Sequence, residues 1–104
     1  MRNKKILLIN DMAGYGKVAT AAMLPILSYM GHQTYNLPTA LVSNTLDYGK
    51  FNIMDTTDYI TGVFPVWKQL GFSFSAIATG FIASERQAQI VSAYCMEQAA
   101  NGTT

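Results

Sequence analysis

Three observations predict an α/β fold on a parallel sheet for this 104-residue chain. Strand-like and helical patterns alternate in the order β-α-β-α-β-α, which calls for parallel strands joined by right-handed crossovers. The first strand candidate, Lys5 to Ile9, is a continuous leucine and isoleucine run, as expected of a strand covered on both faces. Finally, 50% of the residues are hydrophobic and only 12% are charged, against a usual charged share of about 25%. So few charges leave faces to be covered by more chain or by a partner.

After Lys5–Ile9 the pair Asn10-Asp11 ends the strand, and Gly14-Tyr15-Gly16 follow as a loop of small residues. Apolar positions then recur at helical spacing from about Val18 to Met30, with Pro25 delaying or kinking the helix and Gly31 stopping it. Thr34 to Leu37 reads as a short second strand ended by Pro38. Asp55-Thr56-Thr57-Asp58 reads as a helix cap with an acidic first turn. Behind it Tyr59, Ile60, Val63, Phe64, Trp67 and Leu70 form one apolar face, again with an internal proline, Pro65. Phe74 to Ala78 is the third strand. Ser84-Glu85-Arg86-Gln87 fits a capping box, with Ala88, Val91, Cys95 and Ala99 on one helical face and Asn101-Gly102 closing the helix. Three strands make a small sheet, so the chain reads as the N-terminal part of a larger α/β domain.

Several function classes drop out on composition. The net charge is +1, and the basic residues gather nowhere beyond Arg2, Lys4 and Lys5, so nucleic acid is not expected. Ile6 to Ile9 is too short for the apolar core of a signal peptide, and no stretch reaches membrane-spanning length. A cytoplasmic protein without membrane contact is the expectation. The lone Cys95 reads as a buried inert thiol.

The glycines invite a phosphate-loop reading, which fails. A Walker loop aligned on Gly16-Lys17 puts Asp11 in place of its first glycine and Val18 in place of the metal-binding hydroxyl. Gly14 to Ala19 satisfies G-x-G-x-x-A, yet Tyr35-Asn36-Leu37-Pro38 lacks the carboxylate that a dinucleotide ribose requires. What remains is position. Ligands of open parallel sheets lie beyond the carboxyl ends of the strands, here Asn10-Asp11, Thr39 to Asn44 and Thr79-Gly80-Phe81. That mixture of polar and aromatic residues suits a small flat polar molecule. Lys17 and Lys50, in twin Tyr-Gly-Lys triplets, read as solvated loop lysines, and the methionines as pliable packing.

With these segments in view, the sequence resembles the pyridoxal/pyridoxamine kinase family of the ribokinase-like superfamily. The resemblance rests on INDMAGYGKVATAA, on PTALVSNTLDYGKF and on IATGFIAS. Ser43-Asn44 with Tyr48-Gly49-Lys50, and Thr79-Gly80-Phe81, carry its most specific motifs. It implies a Rossmann-like three-layer α/β/α domain with a parallel central sheet, of which this chain is the N-terminal, substrate-binding portion. It further implies ATP- and Mg2+-dependent phosphorylation of the hydroxymethyl group of a B6 vitamer in salvage of pyridoxal 5'-phosphate, by a homodimer. Carried over by position, Asp11 meets polar substituents of the pyridine ring, Val18 and Val42 touch the ring, and Phe81 packs on its face. Ser43, Asn44, Thr45, Leu46 and Asp47 complete the implied substrate contacts. The family has serine where this chain has Asp11, and a threonine where it has Leu46, whose hydroxyl Thr45 next door can supply. No G-x-G-D motif occurs, so the catalytic base and nucleotide loops are expected beyond Thr104. The alternatives are a hydroxymethylpyrimidine kinase of thiamin synthesis and a non-catalytic α/β binding or dimerisation module.

Overall fold

The computed structural model describes residues 4–17 and 19–104. In chain order the elements are β1 (Lys5–Tyr15), α1 (Ala19–Tyr29), β2 (Gln33–Asn44), a 3-10 turn at Leu46–Tyr48, β3 (Ile53–Asp55), α2 (Thr57–Leu70), β4 (Ala76–Thr79) and α3 (Glu85–Ala100). They build a three-layer α/β fold around an open sheet of order β3-β2-β1-β4. β1 pairs in parallel with β2 on one side and β4 on the other, as the alternation of elements predicts, while β3 adds an antiparallel edge to β2.

Leu7, Leu8 and Ile9 are buried to within 1% of completely, as a strand covered on both faces requires. With period-two alternation Leu7 and Ile9 share a face, and they join Leu37 in one cluster with Ile60, Val63 and Phe64 of α2 and Val91 and Tyr94 of α3. The α2 stripe follows the i, i+3, i+4 spacing read from the sequence, but Tyr59 and Leu70 flank it and stay about 60% exposed, at 60% and 61%. On α3 the buried face is Gln87, Val91, Tyr94 and Gln98, rotated from the expected alanine and cysteine face. Tyr94 sets that rotation by stacking on Phe64, ring centroids 4.0 Å apart and planes 9° off parallel. A stacked pair of this size outweighs the burial of Ala88 and Ala99, whose methyls offer little area.

Both central strands outrun their predicted ends. β1 was expected to stop at Ile9 and instead runs through Gly14 to Tyr15; β2 passes through Pro38 to Asn44. The register shifts between Asn10 and Met12, and Pro38 stands opposite Asn10 at the start of that bulge. A proline lacks an amide to donate, so a strand tolerates it where the ladder is already interrupted. The glycines expected to form a loop instead permit close approach between strand ends. A Cβ on Gly14 would stand 3.0 Å from the Ser43 carbonyl oxygen, and one on Gly16 would fall 2.3 Å from Thr45 Cγ2.

α2 begins one residue later than a cap at Asp55 implies. Asp55 ends β3, and its carboxylate accepts from the Thr57 amide at 2.6 Å and from the Thr57 hydroxyl, so it still serves the helix start. These two donors hold the Asp55 carboxyl below the usual carboxylate range. Ser84 caps α3 by accepting from Gln87 N at 3.1 Å, as the sequence predicts. Pro25 and Pro65 lie inside α1 and α2 on exposed positions.

Candidate functional site

β1 and β4 remain paired only from Ile6–Ala76 to Ile9–Thr79. Gly80 N donates to Ile9 O at 2.9 Å, and beyond this point β1 continues along β2 while the chain after Gly80 turns towards α3. The carboxyl ends of two adjacent parallel strands thus part, which is where α/β sheets place ligands.

Asn10 governs this opening. Its Oδ1 accepts from the Asp11 amide at 2.9 Å and from the Phe81 amide at 2.9 Å, tying the bulge of β1 to the turn after β4. The tie requires a glycine, because a Cβ on Gly80 would lie 2.1 Å from Asn10 Nδ2. Asp11 is half-buried beside the bulge. The two ion pairs among the described residues, Lys68–Glu97 and Arg86–Asp58, lie elsewhere, so the Asp11 carboxylate has no cationic partner there. Phe81 is 43% exposed and offers ring surface to a ligand.

A second group sits at the far tip of β1 and β2, roughly 13 Å along the strand from Asp11 at about 3.3 Å per residue. A shallow pocket of about 350 Å³ is lined there by Tyr15, Ser43, Asn44, Tyr48 and Lys50. Tyr15 and Tyr48 meet edge to face, 5.9 Å between centroids. The polar atoms of the Ser43-Asn44 pair serve the adjoining loop. Ser43 Oγ donates to Asn44 Oδ1 at 2.7 Å and accepts from Asn52 N at 2.8 Å. Asn44 Nδ2 donates to the carbonyls of Thr45 and Lys50 at 3.0 and 2.9 Å.

Of the residues singled out in the sequence, Asp11 and Phe81 meet at the parted strands through Asn10, whereas Ser43 and Asn44 brace the tip. Val42 is buried opposite Ala13, between the two groups. Thr45 packs its methyl under Gly16, and Leu46 and Asp47 are exposed on the 3-10 turn. Val18 lies outside the described residues. Cys95 is half-buried rather than buried, and burial pushes its thiol up, away from the reactive thiolate.

Two residues escaped the sequence reading. Asn10 was visible only as half of a polar pair, although the run Ile9-Asn10 against Thr79-Gly80 places an amide beside a glycine at matched strand ends. The capping-box spacing pairs Gln87 with Ser84, but the side chain of Gln87 reaches further. It is fully buried, and its side chain bonds to Ala83 N, Thr39 O and Thr57 Oγ1 at 2.7, 2.9 and 3.4 Å. Its burial was signalled by nothing local. Other hollows, about 460 Å³ beside Lys5, Gln33 and Phe74 and about 260 Å³ beside Tyr35, Trp67 and Phe72, lie at the opposite, amino ends of the strands. Among the described residues no three acidic, histidine or cysteine side chains gather to hold a metal ion, and no helix is long and apolar enough to cross a membrane.

Solved structures resemble the chain closely. A Bacteroides thetaiotaomicron protein assigned as a phosphomethylpyrimidine kinase, crystallised with pyridoxal, superposes with a TM-score of 0.88 at 41% identity, over 93% of this chain and 34% of its own. Pyridoxal kinase from Lactobacillus plantarum gives 0.86 at 26% identity, over 91% of this chain and 34% of its own. Pyridoxal kinase from Leishmania donovani, in complex with ADP and pyridoxamine, shares the fold at a TM-score of 0.83 and 20% identity, over 96% of this chain and 37% of its own. No family model and no curated protein sequence matches. The chain therefore has the ribokinase-like fold of these kinases and spans about a third of their length, 34% for the first two.

Proposed function

We propose that this ribokinase-like chain is the N-terminal, vitamer-binding part of an ATP-dependent kinase that phosphorylates the hydroxymethyl group of a B6 vitamer. The observation that carries the reading is the tie of Asn10 to Phe81 at the parted ends of β1 and β4. It brings together, at the parted strand ends, the backbone of Asp11, which carries a carboxylate, and that of Phe81, whose ring is 43% exposed. A flat heteroaromatic ring with polar substituents is matched by that pair. Phe81 packs on the ring face, and Asp11 accepts from a ring hydroxyl or a protonated ring nitrogen, a charge-assisted bond.

In the transfer, the hydroxymethyl oxygen forms the new O–P bond while the bond from the γ-phosphorus to the β–γ bridging oxygen breaks. The hydroxyl proton passes to a base in the remainder of the protein. Positioning and charge neutralisation dominate such transfers, and this chain supplies positioning of the alcohol. Nucleotide and Mg2+ are assigned to the remainder, since nothing in these residues offers a phosphate loop. The edge of β4 away from β1 accepts further pairing: the Thr104 amide donates to Ser75 O at 3.0 Å and its carbonyl accepts from Ile77 N at 2.9 Å, the two bonds of a parallel bridge. A homodimer in the cytoplasm belongs to this reading, and the exposed Leu41, Phe51, Ile53 and Met54 around β3 support an apolar contact.

Hydroxymethylpyrimidine is the second candidate substrate; the 41%-identical structure is assigned to a kinase of a related pyrimidine, phosphomethylpyrimidine. The test compares ATP-dependent phosphorylation of pyridoxal and of hydroxymethylpyrimidine by the full-length protein, with Asp11→Ala alongside. Transfer to pyridoxal is expected to dominate. Asp11→Ala is expected to raise the KM for the vitamer by a factor of about 10 to 100, the loss of a charge-assisted hydrogen bond, and to leave that for ATP in place. Equal losses for both substrates would make Asp11 a structural residue, and preference for the pyrimidine would move the assignment to the second candidate.

A further inference from the structure

We infer that Gln87 is a positioning residue for the candidate ring site, holding the Phe81–Ser84 turn at Ala83 while Asn10 holds it at Phe81. This inference rests on the proposed function for its kinetic consequence, though its structural content stands apart from it. Gln87 is fully buried, and both ends of its amide are engaged. Oε1 accepts from the Ala83 amide at 2.7 Å, while Nε2 donates to the Thr39 carbonyl at 2.9 Å and reaches Thr57 Oγ1 at 3.4 Å. The turn carrying Phe81 therefore hangs between two side-chain acceptors, Asn10 Oδ1 on the Phe81 amide and Gln87 Oε1 on the Ala83 amide.

The anchor points matter as much as the bonds. Thr39 lies on β2 between Pro38, opposite the bulge, and Ala40, which pairs with β3; its carbonyl also accepts from Thr56 N at 3.3 Å. Thr57 opens α2 and stands 3.2 Å from Ser84 Oγ. One amide thus joins β2, the start of α2 and the turn before α3. A leucine or methionine would fill the same core space. An amide donating in one direction and accepting in the other fixes where the turn sits relative to β2.

Gln87→Met, which keeps volume and removes both functions, tests this in the full-length protein. Val91→Ala, a core change on the same helix, is the control for general loosening. With Gln87→Met the KM for the ring alcohol is expected to rise about tenfold while the KM for ATP holds, the loss expected for one buried hydrogen-bonding group. Val91→Ala is expected to lower thermal stability without moving the ratio of the two KM values. Hydrogen exchange provides the readout independent of turnover: the amides of Phe81 and Ala83 exchange faster in Gln87→Met, while those of Leu7 to Ile9 stay protected. Unchanged KM values, or equal rises for both substrates, would overturn the inference. If the wild-type protein phosphorylates no ring alcohol, the proposed function fails and exchange alone decides. Faster exchange confined to Phe81 and Ala83 then upholds the positioning role, and unchanged exchange overturns it.

Discussion

Gly80→Ala offers a test of the Asn10 tie that can be worked through from the geometry. The backbone at Gly80 is not in the left-handed region, so alanine is not strained by its own conformation. The obstacle is the Asn10 side chain, whose Nδ2, Cγ and Oδ1 would lie 2.1, 2.5 and 2.7 Å from the new Cβ. No rotation of the amide about its last bond relieves contacts with all three atoms, so Asn10 must swing away. It then loses its bonds to the amides of Asp11 and Phe81, both 2.9 Å. Two such bonds are worth about 1–3 kcal/mol together, at roughly 0.5–1.5 each. Asn10→Ala forfeits the same two bonds, and in that background the Cβ at position 80 meets no amide. The double variant is therefore expected to cost about as much as Asn10→Ala alone, a coupling of roughly 1–3 kcal/mol against additivity. Urea denaturation followed by Trp67 fluorescence measures it, since Trp67 packs against Phe64, Phe74 and Tyr94. If the two single losses simply add, Gly80 and Asn10 do not share an interaction and the tie is refuted.

Three further outcomes follow from the same structure. Phe81→Tyr is expected to keep vitamer binding and Phe81→Ala to weaken it by on the order of 1 kcal/mol, read by isothermal titration; normal binding with impaired folding would make Phe81 a core residue only. Asp55 is held below its ordinary 3.8 by the Thr57 hydroxyl and amide, so its contribution is complete above about pH 4 and is lost as pH falls through the lowered value. Asp55→Asn is expected to flatten that part of the acid-denaturation profile, and an unchanged profile would refute it. Tyr94 keeps its hydroxyl buried without a partner among the described residues, and burial pushes its pKa up to about 12. Tyr94→Phe is therefore expected to leave the melting temperature unchanged or raise it, whereas Tyr94→Ala costs about 3–5 kcal/mol through lost packing on Phe64; a clear loss with phenylalanine would reveal a hydrogen bond.

The parts of the fold that depend on local chemistry were legible in the sequence. Leu7 to Ile9 announce a doubly covered strand, Ser84 caps α3, and the spacing of Ile60, Val63 and Phe64 marks the inner face of α2. What escaped depends on chain brought from elsewhere. Pro38 and Gly14 look like strand breakers until the bulge opposite Pro38 and the Ser43 carbonyl beside Gly14 are in place. β3 is three exposed residues, too short to show a period, and exists because β2 offers it an edge. At the site, motifs and strand ends mark Asp11 and Phe81 but not the amide that joins them, because Asn10 and Gly80 meet from positions 70 apart in the chain. Gln87 sits where a capping box places a glutamine, and only packing sends its side chain to Thr39.

The central claim, that a flat ring alcohol binds where β1 and β4 part, is tested most directly by hydrogen exchange of the full-length protein with and without pyridoxal. Protection is expected to rise at Asn10 and Asp11 and at Gly80 and Phe81, the residues of the parted strand ends. Protection confined to the amino ends of the strands, around Lys5, Tyr35 and Phe72, would contradict the account and place the ligand in the opposite hollows.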